Sequence, residues 1–327
     1  MTYHNTAPLL VTELSKKYGD FEVLRKLSLE VTAGAVHGLV GLNGSGKTTT
    51  LECLLGMQSF DSGSIRVLGL PPDQLHRSRG GVVSIFDNPS LHPQLTVRQV
   101  LEHASLLCEQ RVRTPAQVEA LLGISKYSHF KIRHLSLGNR RRASIAQALL
   151  GSPALVLLDE PFNGLDAGGV DDMLALISTL NRDEGTAFLL SSHQLPYLEK
   201  ICSHLSILHK GRIVVSDHVS RLFNSRVSRL LVSCDDVVRA CAIVQDIPGV
   251  QIEDNSAPGL LTLQLEDVSP ALINQRLVQK GIAVHELQRE RASLTSLFHE
   301  ITARDPVHDH LLDAGHDTSR TVVEADL

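Results

Sequence analysis

Ala35-Val36-His37-Gly38-Leu39-Val40-Gly41-Leu42-Asn43-Gly44-Ser45-Gly46-Lys47-Thr48 is the stretch that decides the fold. Its first six residues read as a strand. The next eight, Gly41 to Thr48, fit G-x-x-x-x-G-K-[ST], and Lys47–Leu55 carries a helical pattern. Strand, glycine-rich turn and helix in that order make a phosphate loop. The glycines let backbone N–H groups gather into a concave nest for phosphate oxygens. The helix adds the positive end of its dipole. In that chemistry Lys47 is a point charge for the β- and γ-phosphates, and the hydroxyl of Thr48, with Thr49 beside it, opens the helix as a ligand for Mg²⁺.

On the C-terminal side of this loop, Val82–Phe86, Leu155–Leu158 and Ala187–Ser191 also read as strands. Ala154–Leu158 and Ala187–Leu190 are continuously apolar, which predicts strands buried on both faces of a helix-covered parallel sheet. Strands and helical patterns alternate from about Leu9 to Phe223, which predicts an α/β domain. Ala154–Leu158 runs directly into Asp159-Glu160-Pro161. Two acids at the carboxyl edge of a parallel sheet stand where ligands bind in such folds. Asp159 is expected to hold Mg²⁺ through water, and Glu160 to act as general base or to position water for attack on the γ-phosphate.

The chain has 327 residues, roughly two domains' worth, and 43% hydrophobic residues, enough for real cores. Its formal net charge of −5 gives no support to nucleic-acid binding. No run is long and apolar enough to span a bilayer, and the first ten residues lack the charged and apolar regions of a secretory signal. Five scattered cysteines, without a CxxC pair, point to reduced buried thiols rather than disulfides or zinc. Beyond Phe223 the predicted order becomes β-α-β-β-α-β, that of a small ferredoxin-like α+β domain. The domains are therefore expected at 1–224, 225–303 and, as a polar tail without periodicity, 304–327. That tail is expected to be disordered. Its histidines His308, His310 and His316 share no recurring ligand spacing and read as solvated.

Between the phosphate loop and the acid pair stands Leu135-Ser136-Leu137-Gly138-Asn139, followed by Arg140–Arg142 and a helical run ending near Leu150. Together with Gly41–Thr48, Asp159–Glu160, Asn163-Gly164-Leu165-Asp166 and Ser191-Ser192-His193, it resembles the ATP-binding subunit of an ABC transporter, in order and spacing, over about Leu9 to Phe223. The resemblance implies ATP and Mg²⁺ as cofactors and a head-to-tail dimer of two such subunits. It implies that Tyr18 stacks on adenine. Ser136, Gly138 and Asn139 would contact the γ-phosphate of ATP held by the opposite subunit, and Asp166 would lie across the dimer interface. His193 would hydrogen-bond the γ-phosphate and sense its presence. The implied partners are a second ATPase subunit, as a homodimer, and a separate integral membrane permease, with no nucleic acid. The implied location is the cytoplasmic face of the cell membrane.

One departure is informative. The family normally has Gln before the run Asn88-Pro89-Ser90-Leu91-His92-Pro93, and here that position is Asp87. An acidic residue there, with Ser-Leu-Gly in the signature, resembles the branch that exports lantibiotic and bacitracin-type peptide antibiotics. An oxygen donor for Mg²⁺ survives in Asp87, so it joins Thr48 and Asp159 as an expected metal ligand. The same loop contacts the permease in the family, so coupling is the alternative role. Two other readings of the whole chain stay open: a soluble ABC ATPase acting on DNA or the ribosome, and a regulatory ATP-binding subunit of low turnover. A single phosphate loop without heptads weighs against the first, and Glu160 with His193 against the second.

Overall fold

A computed structural model describes residues 7–87, 90–109, 111–224, 228–253, 259–266, 268–290 and 294–303. In chain order, the first part contains β1 (Leu9–Tyr18), β2 (Phe21–Val31), β3 (Val36–Val40), α1 (Lys47–Leu54), β4 (Ser62–Val67) and β5 (Val82–Ile85). Helices α2 (Val97–Leu107), α3 (Pro115–Leu121) and α4 (Leu137–Ala148) come next, then β6 (Leu155–Asp159), α5 (Ala167–Glu184), β7 (Ala187–Ser192) and α6 (Leu195–Ile201). The part closes with β8 (His204–His209), β9 (Arg212–His218) and α7 (Val219–Asn224). The remaining elements are β10 (Ser228–Cys234), α8 (Val237–Val244), β11 (Val250–Ile252), β12 (Leu260–Leu265), α9 (Pro270–Gln279), β13 (Val284–Glu290) and α10 (Leu294–Ala303).

The central sheet has strand order β5-β6-β7-β3-β8-β9, parallel from β5 to β8 with β9 antiparallel at the edge. β3, β6 and β7 are buried at every residue, as the unbroken apolar runs of β6 and β7 predict. Successive side chains leave a strand on opposite faces. Val156 and Leu158 accordingly join one apolar core with α2 to α6, while Leu155 and Leu157 join a second core with α1 and the antiparallel sheet β2-β1-β4. Strand register then aligns the ends of the strands: Val40 at the end of β3 pairs with Ser192 of β7, and Asp159 at the end of β6 pairs with Ser191. The phosphate loop, the acid pair and His193 are thereby delivered to one edge of one sheet.

Among the described residues no helix is long and apolar enough to cross a membrane. The four strands from Ser228 onward form a separate antiparallel sheet, ordered β11-β12-β10-β13. Its core joins Leu230, Val232, Leu261 and Leu263 from the strands to Val244 and Ile273 from α8 and α9. Helix α10 goes elsewhere. Although it falls within the 225–303 span expected for the second domain, it buries Leu294 and Phe298 in the first core, with Leu195 and Leu198 of α6. Its apolar stripe has the period of any amphipathic helix, and periodicity does not say which core will take it. The polar tail 304–327, with its three histidines, lies outside the described residues.

Candidate functional site

The loop between β3 and α1 is built on close backbone approaches. A Cβ on Gly46 would stand 2.7 Å from Leu24 Cδ2, at a φ of 108° that L residues avoid, and one on Gly41 would stand 2.7 Å from the carbonyl oxygen of Leu208. Leu42, Asn43, Gly44 and Thr48 face solvent, whereas Ser45, Gly46 and Lys47 are buried. Ser45 Oγ is buried without a hydrogen-bond partner, a free polar atom within the cradle. Lys47 Nζ donates to the Gly41 carbonyl at 2.8 Å and lies 3.3 Å from Glu160 Oε1.

Thr48 Oγ1 donates to Asp159 Oδ2 at 3.0 Å, and Ser191 Oγ donates to the other oxygen of the same carboxylate. A hydroxyl and a carboxylate at hydrogen-bond distance, beside a phosphate cradle, are hard oxygen donors of the kind Mg²⁺ takes, so Thr48 and Asp159 fit the ion the fold implies. Glu160 is held on every side. Its N–H donates to the Ser191 carbonyl at 2.8 Å, its Oε1 lies 2.9 Å from His193 Nδ1, and Ser192 Oγ donates to its Oε2 at 2.9 Å. Its backbone is left-handed, at φ 46°. Burial pushes its carboxyl up, but the His193 hydrogen bond, the Lys47 charge and the Ser192 hydroxyl outweigh that and hold it below the ordinary carboxylate range. The result is an ionised carboxylate at neutral pH, beside the Lys47 ammonium.

The structure thus brings Lys47, Thr48, Asp159, Glu160 and His193 into one contiguous cluster. The other expected residues have their own surroundings. Tyr18 ends β1 half exposed, with Lys16 Nζ 4.9 Å from its ring centre. Ser136 is the N-cap of α4 and accepts from the Asn139 N–H at 3.3 Å. Asp166 caps α5 in the same way, through the Gly169 N–H at 2.8 Å. A Cβ on Gly138 would come 3.3 Å from Leu165, which locks the start of α4 against the loop that carries Asp166. Asp87 stands with Arg141, which donates to its carboxylate and, at 3.0 Å, to its carbonyl. Asn163 Nδ2 donates to the same Asp87 oxygen at 3.4 Å, and Gln194 Nε2 to Asn163 Oδ1 at 2.7 Å.

Four of these side chains carried no role in the sequence. Ser191 and Ser192 precede His193, and their hydroxyls face the two acids only because β6 and β7 pair in register. Arg141 sits in a run of three arginines, of which it alone is buried. Asn163 opens the Asp166 loop.

A family model described as ABC transporter matches residues 24–163. An uncharacterized ABC transporter ATP-binding protein of Bacillus subtilis (YdbJ) is 30% identical over 301 residues, 90% of this chain and 96% of that one. The bacitracin transport ATP-binding protein BcrA of Bacillus licheniformis is 28% identical, covering 88% of this chain and 94% of that protein. A Nod factor export ATP-binding protein I of Burkholderia orbicola is 35% identical over 68% of this chain and 75% of that protein. Among solved structures, an ATP-binding subunit of an ABC transporter superposes with a TM-score of 0.61 at 26% identity, over 67% of this chain and 93% of that one. A dimeric bacterial ABC transporter cassette shares the fold, with a TM-score of 0.59 at 20% identity over 64% and 98% of the two chains.

Proposed function

Because this chain belongs to the ATP-binding proteins of ABC transporters, a family of ATPases, we propose that its ATP hydrolysis drives a separate membrane permease that exports a peptide antibiotic or drug-like compound. The observation that carries the hydrolytic reading is the Glu160 carboxylate, set 3.3 Å from Lys47 and 2.9 Å from His193. ATP enters with its phosphates in the nest of Gly41 to Gly46, and the γ-phosphate draws Lys47 away from Glu160. Freed of the ammonium, the Glu160 carboxylate accepts the proton of the attacking water. His193, already hydrogen-bonded to Glu160 through Nδ1, presents its other ring nitrogen to the γ-phosphate. Thr48 and Asp159 would hold Mg²⁺, which when bound would neutralise charge developing on the phosphates. Tyr18 stacks on the adenine.

In this reading the protein works as a head-to-tail homodimer on the cytoplasmic face of the membrane. Ser136, Gly138 and Asn139 of one subunit approach the ATP held by the other, with Asp166 across the interface. Loss of the γ-phosphate removes contacts that keep the dimer shut, and the difference in affinity of the closed state for ATP and ADP moves the permease. The Nod-factor-export relative supports export, and the bacitracin-transport proteins, matched over nearly their full length, support a peptide-antibiotic cargo. The strand order β11-β12-β10-β13, with a helix after β10 and after β12, supports reading the second unit as a ferredoxin-like accessory domain.

Glu160→Gln tests the chemistry. It keeps the shape and removes the base, so phosphate release should fall by about 10²-fold or more while ATP still binds. A variant that hydrolyses ATP at the wild-type rate would show that Glu160 is not the base.

A further inference from the structure

Glu160 is the one residue of the reacting cluster with a left-handed backbone, at φ 46°. Non-glycine residues hold that conformation only where their surroundings impose it. Its N–H is fixed by the Ser191 carbonyl. Its carbonyl oxygen accepts from Arg141 Nη1 at 3.1 Å and from the Asn163 N–H at 3.2 Å. The same Nη1 donates to the Asn163 carbonyl, and Nη2 donates to both the carbonyl and the carboxylate of Asp87. A planar guanidinium offers donors in fixed directions, which suits it to bridging three backbone carbonyls at once. Arg141 is only 3% exposed, so its charge is costly without a counter-ion. The ion pair within its reach is Asp87, whose side chain remains 44% exposed.

We propose that Arg141 is a positioning residue for hydrolysis: it holds the backbone of Glu160 in the conformation that aims the carboxylate at the γ-phosphate, and Asp87 is the counter-ion that holds Arg141. Asp87 thereby serves the chemistry through charge, from outside the metal's own ligands. The clamp also joins three parts of the site. Arg141 belongs to α4, whose first residues face the partner subunit in the proposed dimer. Asn163 leads into the loop of Asp166 and receives Gln194, the neighbour of His193. Asp87 is the solvent-facing end. A displacement of the Asp87 loop therefore reaches the base through a single side chain. This inference rests on Glu160 acting as the base.

Steady-state hydrolysis and binding of a fluorescent, non-hydrolysable ATP analogue, both on the full chain and both titrated with Mg²⁺, test it. Wild-type and Glu160→Gln proteins come first: if wild type releases no phosphate, or if Glu160→Gln matches it, the hydrolytic reading fails and the clamp with it. If those controls behave, Arg141→Ala and Arg141→Lys should lower kcat at least about tenfold, since small displacements of a reacting group are costly. Their analogue affinity and Mg²⁺ midpoint should stay within about threefold of wild type. Asp87→Ala should also lower kcat with an unmoved Mg²⁺ midpoint, and Asp87→Asn, which keeps an oxygen acceptor, should fall between it and wild type. Asp87→Ala added to Arg141→Ala should cost little more than Arg141→Ala alone, because the two act as one unit. Asp87 is half exposed, so its variants remain informative should Arg141→Ala fail to fold. Wild-type kcat in either arginine variant would overturn the proposal. So would a raised Mg²⁺ midpoint in Asp87→Ala with an unchanged rate at saturating Mg²⁺, which would return Asp87 to the metal.

Discussion

Among single residues, the site is governed by which groups share the Glu160 carboxylate. Burial disfavours its charge, and His193, Lys47 and Ser192 more than restore it, so its native pKa lies below the unfolded value. A group with a depressed pKa contributes stability at neutral pH and loses it as pH falls through the native value. For catalysis the same sign means that the base stays ionised across the neutral range. The acid limb of kcat/KM should therefore lie below the ordinary carboxylate range, and a limb near neutrality in a pH–rate profile would contradict the assignment. His193 supplies the leading favourable contribution to that ionisation. His193→Ala should shift the acid limb to higher pH and lower kcat together. Legibility differed among these residues. Lys47, Thr48, Asp159 and Glu160 are readable because each stands in a motif whose spacing follows from chemistry. Arg141 is not, because three adjacent arginines look alike until folding buries one of them.

Among the secondary-structure elements, β3, β8 and β9 carry a second buried polar cluster, remote from the acids. His37 on β3 is buried, donating to or accepting from Ser206 Oγ at 2.8 Å, and stacks 6.0 Å from His204, which meets His218 edge-on. Burial, with the neighbouring His204, lowers the His37 pKa from 6.5 to about 4. The unfolded chain then binds a proton that the folded one refuses, so stability is complete above pH 6.5 and is lost as pH falls toward 4. Between pH 6.5 and 5 the loss from His37 should be about 2 kcal/mol. Urea unfolding at pH 7 and pH 5 checks this, with His37→Asn expected to flatten the dependence. Helix α10 makes the second prediction of this kind. Phe298 is 6% exposed in the core that holds α6. Phe298→Ala should cost about 3 kcal/mol, the usual magnitude for emptying such a site. The loss should appear in the unfolding of the first part of the chain, and hydrogen exchange that loosens only β10 to β13 would contradict the placement of α10.

For the molecule as a whole, an α/β ATP-binding cassette is followed by a small antiparallel sheet with two helices, and the last helix packs on the cassette. Because α6 begins directly after His193 and Gln194, α10 braces the helix that leads out of the site. The proposed cycle makes a prediction about assembly. With ATP bound and hydrolysis blocked by Glu160→Gln, the protein should elute as a dimer, and with ADP as a monomer. Light scattering that gives one mass in both states would count against the closing and opening of the dimer.

The amino-acid sequence by itself determined the phosphate loop, the acid pair, the α/β alternation and the change of pattern after Phe223, since each is a local statement of spacing or period. Tertiary structure decided the rest. Only the parallel register of β3, β6 and β7 places Thr48 against Asp159 and the two serines against the two acids. Only burial selects Arg141 from its neighbours and gives Asp87 its partner. Only competition between two cores decides where α10 docks. The physical reason is common to all three: spacing along a chain specifies local geometry, while partners distant in sequence are chosen by which arrangement satisfies buried charge and apolar surface together.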